Sequence, residues 1–451
     1  MATTRLHRTP SSSSTGEKWT VSMWVKMGVT GTNQTLFSAD TGGSFEFTTF
    51  AELQSSGLIK FGGLDNGSTN GSLATHGMFR DPNAWYHLVF VWDNLNSTSA
   101  DKMKMYINGE RMQGTGGIAY TPPTTNSRWN MNNNTEIGAR HSGADRFFTG
   151  VMAHVHNCDG YAYQASDFGE TDATSGAWIA KTSPSVSYGT NGFFLKFASG
   201  AFGTDSSGEG NDFTVVGTMT TTKDTPDDNY CTINELSNYW CNSAFSNGNN
   251  TIVTVSGNTA YNLGSMSVTK GKWYWETLVQ AGGSQATIGT TMAEPSSATN
   301  HANTTAWSYS YYGSDGQIYR SGSGTAYGDS YTTGDYIGTY LDLDNLKIYF
   351  SKNGVLQNSG TGHTIVDPST FSNTNSTRRY APMMGDEHSG SAYTLQTNFG
   401  NGCFGSTQLT GTTYSDAGGK GTFKYDMSGT FDGSSQDFRA LCTQNLGAYG
   451  G

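Results

Sequence analysis

The sequence predicts an all-β protein built as two tandem antiparallel β-sandwiches, and three observations carry that prediction. Apolar and polar residues alternate with period two along most of the chain, the pattern of strands in sheets with one solvated face, while helical periodicity is nearly absent. Two Asn-Gly pairs, Asn108-Gly109 and Asn353-Gly354, follow alternating runs and read as tight hairpin turns, because both residues tolerate positive φ. Of 451 residues 59 are Gly, and only 14% are charged. That composition argues against long helices laced by salt bridges and leaves Ser, Thr, Asn, Gly and Tyr to cover the surface.

The elements follow in order. In the first half, strands are expected at Trp19–Lys26, Gly57–Phe61, Trp85–Trp92, Met103–Ile107, Asn134–Ala139 and Phe148–His156, with short helices at Ala165–Gly169 and Gly176–Lys181. Trp24, Tyr86 and Ile107 are candidates for the layer between the two sheets. Gly192–Phe197 reads as a further strand, followed by a polar loop that contains Asp205-Ser206-Ser207-Gly208. From Thr251 the pattern resumes at Thr251–Val255, Gly271–Val279, Ala286–Gly289, Trp307–Tyr312, Asp335–Asp342 and Lys347–Ser351. The expected organisation is an N-terminal arm (1–17), a first sandwich (18–216), a connector (217–247), a second sandwich (248–402) and a Gly/Ser/Thr-rich segment (403–451) that wraps the second sandwich and then frays.

Charge and cysteine usage narrow the function classes. The formal net charge is −11, and the few Lys and Arg are scattered, which disfavours binding to nucleic acid or to an anionic membrane. No apolar run reaches the ~18 residues of a membrane span, and Met1 to Gly16 is polar, without the apolar stretch of a secretory signal. Five cysteines (Cys158, Cys231, Cys241, Cys403 and Cys442) form no metal-binding or redox spacing, so buried thiols made in a reducing cytosol are expected.

Two family resemblances sharpen this. The Trp19–Lys26 strand, Leu36-Phe37-Ser38-Ala39, Trp85-Tyr86-His87-Leu88-Val89, the Lys104-Met105-Tyr106-Ile107-Asn108-Gly109 hairpin and Phe147–Ala153 stand in an order that resembles a laminin-G-like, concanavalin-A-like jelly roll over roughly Lys18 to Phe197. Gly271-Lys272-Trp273-Tyr274-Trp275-Glu276, Ile288-Gly289, Tyr311 to Tyr319, Gly334 to Asp342, and Ile348 to Gly354 resemble the successive segments of a SPRY domain from about Thr251 to Gly400. The combination, closing on Leu441-Cys442-Thr443-Gln444-Asn445-Leu446, resembles structural proteins of tailed phages, particularly those of marine bacteria.

What the resemblance implies is a virion surface protein assembled in the host cytoplasm. It would be a tail-fibre or appendage component that contacts other virion proteins and a host-surface glycan or protein, and a homo-oligomer, a trimer by analogy. A capsid-decorating or head-fibre protein with mainly an assembly role is the alternative, since no heptad region offers a trimeric shaft. A secreted glycan-degrading enzyme is the third class, disfavoured by the missing secretory signal and acid array.

Candidate chemistry is sparse, and the sequence offers no catalytic residue. Glycoside hydrolysis needs acids alternating along one strand face, and no such array exists. Glu170-Thr171-Asp172 and Asp342-Leu343-Asp344 have same-face spacing but sit where a helix cap or a turn is expected. His154 and His156, on one predicted strand face, could share a metal, or could be ordinary surface or core-edge imidazoles. The laminin-G resemblance implies a rim calcium site, for which Asp40, Asp93 and Asp145 are the loop candidates; each alone reads as a turn residue. For ligand binding the candidates are Trp307, Tyr309, Tyr311, Tyr312, Tyr319 and Tyr327, because a sugar's apolar face stacks on aromatic rings. The alternative for the same segment is that Trp307, Tyr309 and Tyr311 face the core.

Overall fold

Strand alternation does produce two sandwiches, and it buries more than one face of each. The computed structural model describes residues 4–41, 46–112, 118–140, 145–173, 176–237, 243–257, 259–292, 302–370, 378–387 and 390–450. Cys241 lies outside the described residues. The chain divides into two compact units, Met1–Thr221 and Thr222–Gly451.

In the first unit, an eight-stranded sheet runs in the order Ile118–Thr121, Ser68–Thr75, Ile59–Asp65, Thr48–Leu53, Gln34–Asp40, Asn134–Ile137, Arg5–Arg8, Thr214–Val216. A six-stranded sheet runs Phe193–Leu195, Gly150–Asp159, Lys18–Met27, Trp85–Asp93, Met103–Ile107, Glu110–Arg111. Trp19, Val21, Met23, Val25 and Met27 point into the core between them, with Phe37, Phe61, Phe90, Trp92 and Trp129. Trp19 stacks on Trp92 at 6.2 Å and Trp129 lies 4.7 Å from Phe37. The arm expected at 1–17 therefore contributes an inner strand, with Leu6 fully buried.

Period two places Trp24 on the opposite face from Trp19, Val21 and Met23, so it is not in the inter-sheet layer, whereas Ile107 and the half-buried Tyr86 are. That opposite face is not solvated either. The described residues between 160 and 190 fold back over it, so Phe168 packs on Val89 and Val91, and Trp178 on Trp24. Ala165–Phe168 is the expected short helix. Residues 176–181 are not helical: Trp178–Ala180 is a strand paired with Gly169–Thr171, because its indole is drawn onto the sheet beneath.

In the second unit, one sheet contains Ala244–Ser246, Thr251–Val253, Thr394–Asn398, Lys272–Ala281, Tyr336–Asp342, Lys347–Lys352 and Val355–Leu356 in that order. The facing sheet is Ala260–Leu263, Ala381–Asp386, Ala286–Thr291, Ser308–Tyr312, Gln317–Arg320, Ser323–Ala326. Trp273, Trp275, Ile288, Ile337, Leu341 and Phe350 fill the space between. The connector expected at 217–247 is divided at Thr221, and its described residues from Thr222 on belong to this unit: Cys231 and Ile233 are in its core and the Lys223 N–H bonds Asn401 O. The 403–451 segment wraps the outer face as expected, laying Phe423, Phe431 and Phe438 on Tyr274, Tyr340 and Tyr349. It ends in a helix, Thr443–Tyr449, rather than a frayed tail.

Candidate functional site

Three loops at one end of the first sandwich enclose a cleft of about 250 Å³. They follow the strands Lys18–Met27, Thr48–Leu53 and Ser68–Thr75. Met27, Leu53 and Phe79 supply apolar surface, and Thr32, Gln54, Ser55 and Arg80 supply hydroxyl, amide and guanidinium groups. The loops are fastened to one another. Asn33 Oδ1 accepts the Ser55 N–H at 2.8 Å, and the buried Gln34 side chain donates to Val29 O at 2.9 Å while accepting the Thr149 N–H at 2.7 Å. The Phe79 N–H bonds Gly57 O at 2.7 Å, and its ring meets Tyr86 edge-on at 5.6 Å.

Gly57 is required there. Its φ is +87°, and a Cβ would come 2.9 Å from both Cγ and Nε of Arg80. The Arg80 stem therefore lies across the glycine, and Nη2 donates to Ser56 O at 3.1 Å. Among the described residues no acid, histidine or cysteine lines the cleft. It can hold a small amphipathic ring by packing and hydrogen bonds, with the hydroxyls of Thr30, Thr32 and Ser55 among its polar groups. Its lining is scattered from residue 27 to 80 and forms no motif; the Gly57 turn is the single local signal that marks it.

The aromatic segment distributes differently. Tyr309, Tyr311 and Tyr327 are core residues at 1%, 0% and 7% exposure, so they cannot present a ring face to a sugar. Tyr311 stacks on Phe350 at 4.9 Å and donates to Asp329 O, Tyr309 accepts the Val366 N–H, and Tyr327 accepts the Phe350 N–H. Trp307 is half-buried against the same core. Strand parity decides this: 309 and 311 face inward together. Tyr312 and Tyr319 remain half-exposed, edge to face at 5.7 Å, with Tyr319 Oη donating to Asp315 Oδ2 at 2.7 Å.

The three aspartates do not converge. Asp145 is held by Arg140 through two bonds of 3.0 and 2.6 Å, beside Glu52 and so near the Thr35 end of the strand Gln34–Asp40. Asp40 is buried at the other end, about five residues or ~17 Å away. Asp93 faces Lys18 at 3.6 Å and Asn96. Each is engaged locally, and among the described residues no three His, Cys, Asp or Glu are grouped to hold a metal ion. The residues do not fit a calcium site.

His154 and His156 flank a bulge in the strand Gly150–Asp159, where His154 adopts a φ of +49°. Both rings lie against Phe194, His156 at 3.9 Å with Nδ1 2.9 Å from Tyr188 Oη. Nearby, and not anticipated from sequence, His87 is enclosed between Trp24 and Trp178. The Trp178 indole can only donate, so His87 Nδ1 accepts its N–H at 2.9 Å. His87 Nε2 therefore carries the proton and donates to Ser22 Oγ at 2.9 Å. A serine nucleophile needs the reverse polarity, and burial pushes the imidazole pKa down to about 3, so this pair is not a catalytic dyad. Glu170 is exposed on a two-stranded ribbon, and Asp342 accepts the Asp344 and Asn345 N–H groups in a turn. Cys158, Cys231, Cys403 and Cys442 are buried, and burial raises the Cys403 thiol to about 11 and Cys442 to about 12.

Comparison with known proteins agrees with the two resemblances. Residues 3–166 match the concanavalin A-like lectin/glucanases superfamily, and residues 272–402 match the SPRY domain. The chain thus carries a concanavalin A-like domain followed by a SPRY domain, both β-sandwiches. No curated protein matches it. Among solved structures, the SPRY domain of human HERC1 is similar at 20% identity, with 33% of this chain and 87% of that chain covered and a TM-score of 0.28. A SAP-like pentraxin from Limulus polyphemus aligns at 17% identity over 40% of this chain and 87% of its own, TM-score 0.29. The TRIM65 PSpry domain aligns at 13% identity over 37% and 91%, TM-score 0.29.

Proposed function

We propose that this chain is a non-enzymatic recognition protein displayed on a phage virion, a tail-fibre or appendage component that binds a host-surface glycan or protein. The observation that carries the recognition part is the rim cleft: apolar surface, hydroxyl and amide groups, and no acid, histidine or cysteine in its lining. Such a lining suits binding by packing and hydrogen bonds. The phage setting rests on the order of the two domains and on the residues that resemble tailed-phage structural proteins. A surface of Ser, Thr, Asn and Tyr with 14% charged residues suits adaptable hydrogen bonding.

A capsid-decorating or head-fibre role is the second reading, favoured by the lack of any heptad run that could form a shaft. The two separate in one experiment, in which purified full-length chain is incubated with host envelope fragments, host glycans and purified capsids. Recognition predicts saturable binding to envelope or glycan, decoration predicts binding to capsids alone, and release of reducing sugar would contradict both.

A further inference from the structure

Arg80 stands apart from the other arginines of its unit. Arg5, Arg111, Arg128, Arg140 and Arg146 each lie within ion-pair distance of a carboxylate, on Glu136, Asp101, Asp65, Asp145 and Glu52 respectively. Arg8 bonds Asn211 and sits in the field of Asp205, Asp159 and Asp212. Arg80 has no such acid among the described residues, and its hydrogen bond to Ser56 O occupies one N–H of five. The adjacent Asp81 carboxylate is turned to its own loop, where it accepts the Asn83 N–H at 2.8 Å. Among the described residues of this unit, Arg80 is thus the arginine with neither a carboxylate at ion-pair distance nor a side-chain partner, and it lines the cleft.

We propose that the cleft takes an acidic sugar ring, a pyranose of the uronate class, with its carboxylate on Arg80. This deepens the recognition reading above and rests on it. The planar guanidinium matches a carboxylate through two parallel N–H bonds, which an ammonium group cannot reproduce. Arg80 is exposed, and the contact of its stem with Gly57 and the bond from Nη2 to Ser56 O restrict the side chain before the ligand arrives, which reduces the entropy lost on binding. Phe79, Met27 and Leu53 offer apolar surface to the ring's C–H face, while Thr32, Ser55 and Gln54 are placed for its hydroxyls. Among the described residues the lining holds no carboxylate to repel the charge. A volume of about 250 Å³ corresponds to about eight waters, room for one ring with the rest of a glycan outside.

The test is titration of the full-length protein with methyl β-D-glucuronide and with methyl β-D-glucoside, followed by calorimetry or saturation-transfer NMR. The glucuronide is expected to bind about tenfold tighter or more. Arg80→Gln should erase that preference, and Arg80→Lys should keep only part of it. Equal binding of the two sugars to the wild type, or a preference that survives in Arg80→Gln, overturns the acidic class while leaving recognition by the cleft standing. Binding of neither sugar also overturns it, and the envelope-binding experiment then judges the recognition reading alone.

Discussion

Glu276 lies on the strand Lys272–Ala281 with its side chain enclosed, and its two oxygens accept four donors. These are the backbone N–H groups of Lys424 and Tyr425 at 2.9 and 2.8 Å, Asn398 Nδ2 at 3.2 Å and Tyr274 Oη at 3.1 Å. Two of the four come from the wrapping segment, so this carboxylate ties the segment to the sheet. Burial nevertheless pushes its pKa up to about 7, only partly opposed by those N–H groups. Glu276→Gln replaces one acceptor oxygen by a donor and leaves at least one buried backbone N–H unpaired. At pH 7 the loss should be about 1–3 kcal/mol, with earlier proteolytic cleavage after residue 403. Unchanged melting and unchanged proteolysis would show that aromatic packing alone holds the segment.

Turns and strands show how much of the fold was legible. Both Asn-Gly hairpins form as expected, with φ of +49° and +86° at Asn108 and Gly109, and +50° and +84° at Asn353 and Gly354, because that preference is local to two residues. Gly109 is doubly constrained, since a Cβ would also lie 2.7 Å from the Trp178 ring. Gly109→Ala should therefore destabilise the first unit by about 1–2 kcal/mol from backbone strain alone, more if Trp178 cannot shift; an unchanged melting temperature would contradict that packing. Where tertiary contacts decide, sequence misled. The 176–181 stretch becomes a strand because Trp178 seeks His87, and Asp224 to Asp228 looks like linker although Tyr230, Cys231 and Ile233 just beyond are buried. The aromatic candidates fell to parity: 309 and 311 point inward, leaving Tyr312 and Tyr319 outside. The cleft was invisible because three separate loops build it.

At the scale of the molecule, the two units should respond oppositely to acid. In the first, His87 titrates near 3 and His156 well below its ordinary value of 6.5, both because burial disfavours the charged ring. Their folded pKa values are depressed, so the unfolded chain takes up protons first, and stability falls as pH drops below about 6.5. At pH 5 the two together remove up to about 4 kcal/mol. Glu136 and Asp159, raised by burial, act in the opposite sense and reduce the net loss. In the second unit, Glu276 and Glu387 are both raised by burial to about 7, above their unfolded values, so their contribution is full below about 4.5 and lost as pH rises through 7. Lowering the pH from 7 to 5 adds about 2 kcal/mol from Glu276 alone, with the lowered His363 opposing. Calorimetric scans at the two pH values should show one transition moving down and another moving up. Both moving down together would contradict the assignment, and Glu276→Gln should flatten the upward shift.

On the function proposed above, the rim of the first sandwich recognises and does not react. Filling the cleft tests this most directly: Ser55→Trp, at an exposed position in its lining, should block it and leave the core untouched. The measurement is binding of host envelope glycans to wild-type and Ser55→Trp protein, with melting temperature as the control. The account predicts at least about a tenfold loss of affinity at unchanged melting temperature, equivalent to ~1.4 kcal/mol or more. Undiminished binding by Ser55→Trp, or sugar release by the wild type, would contradict it.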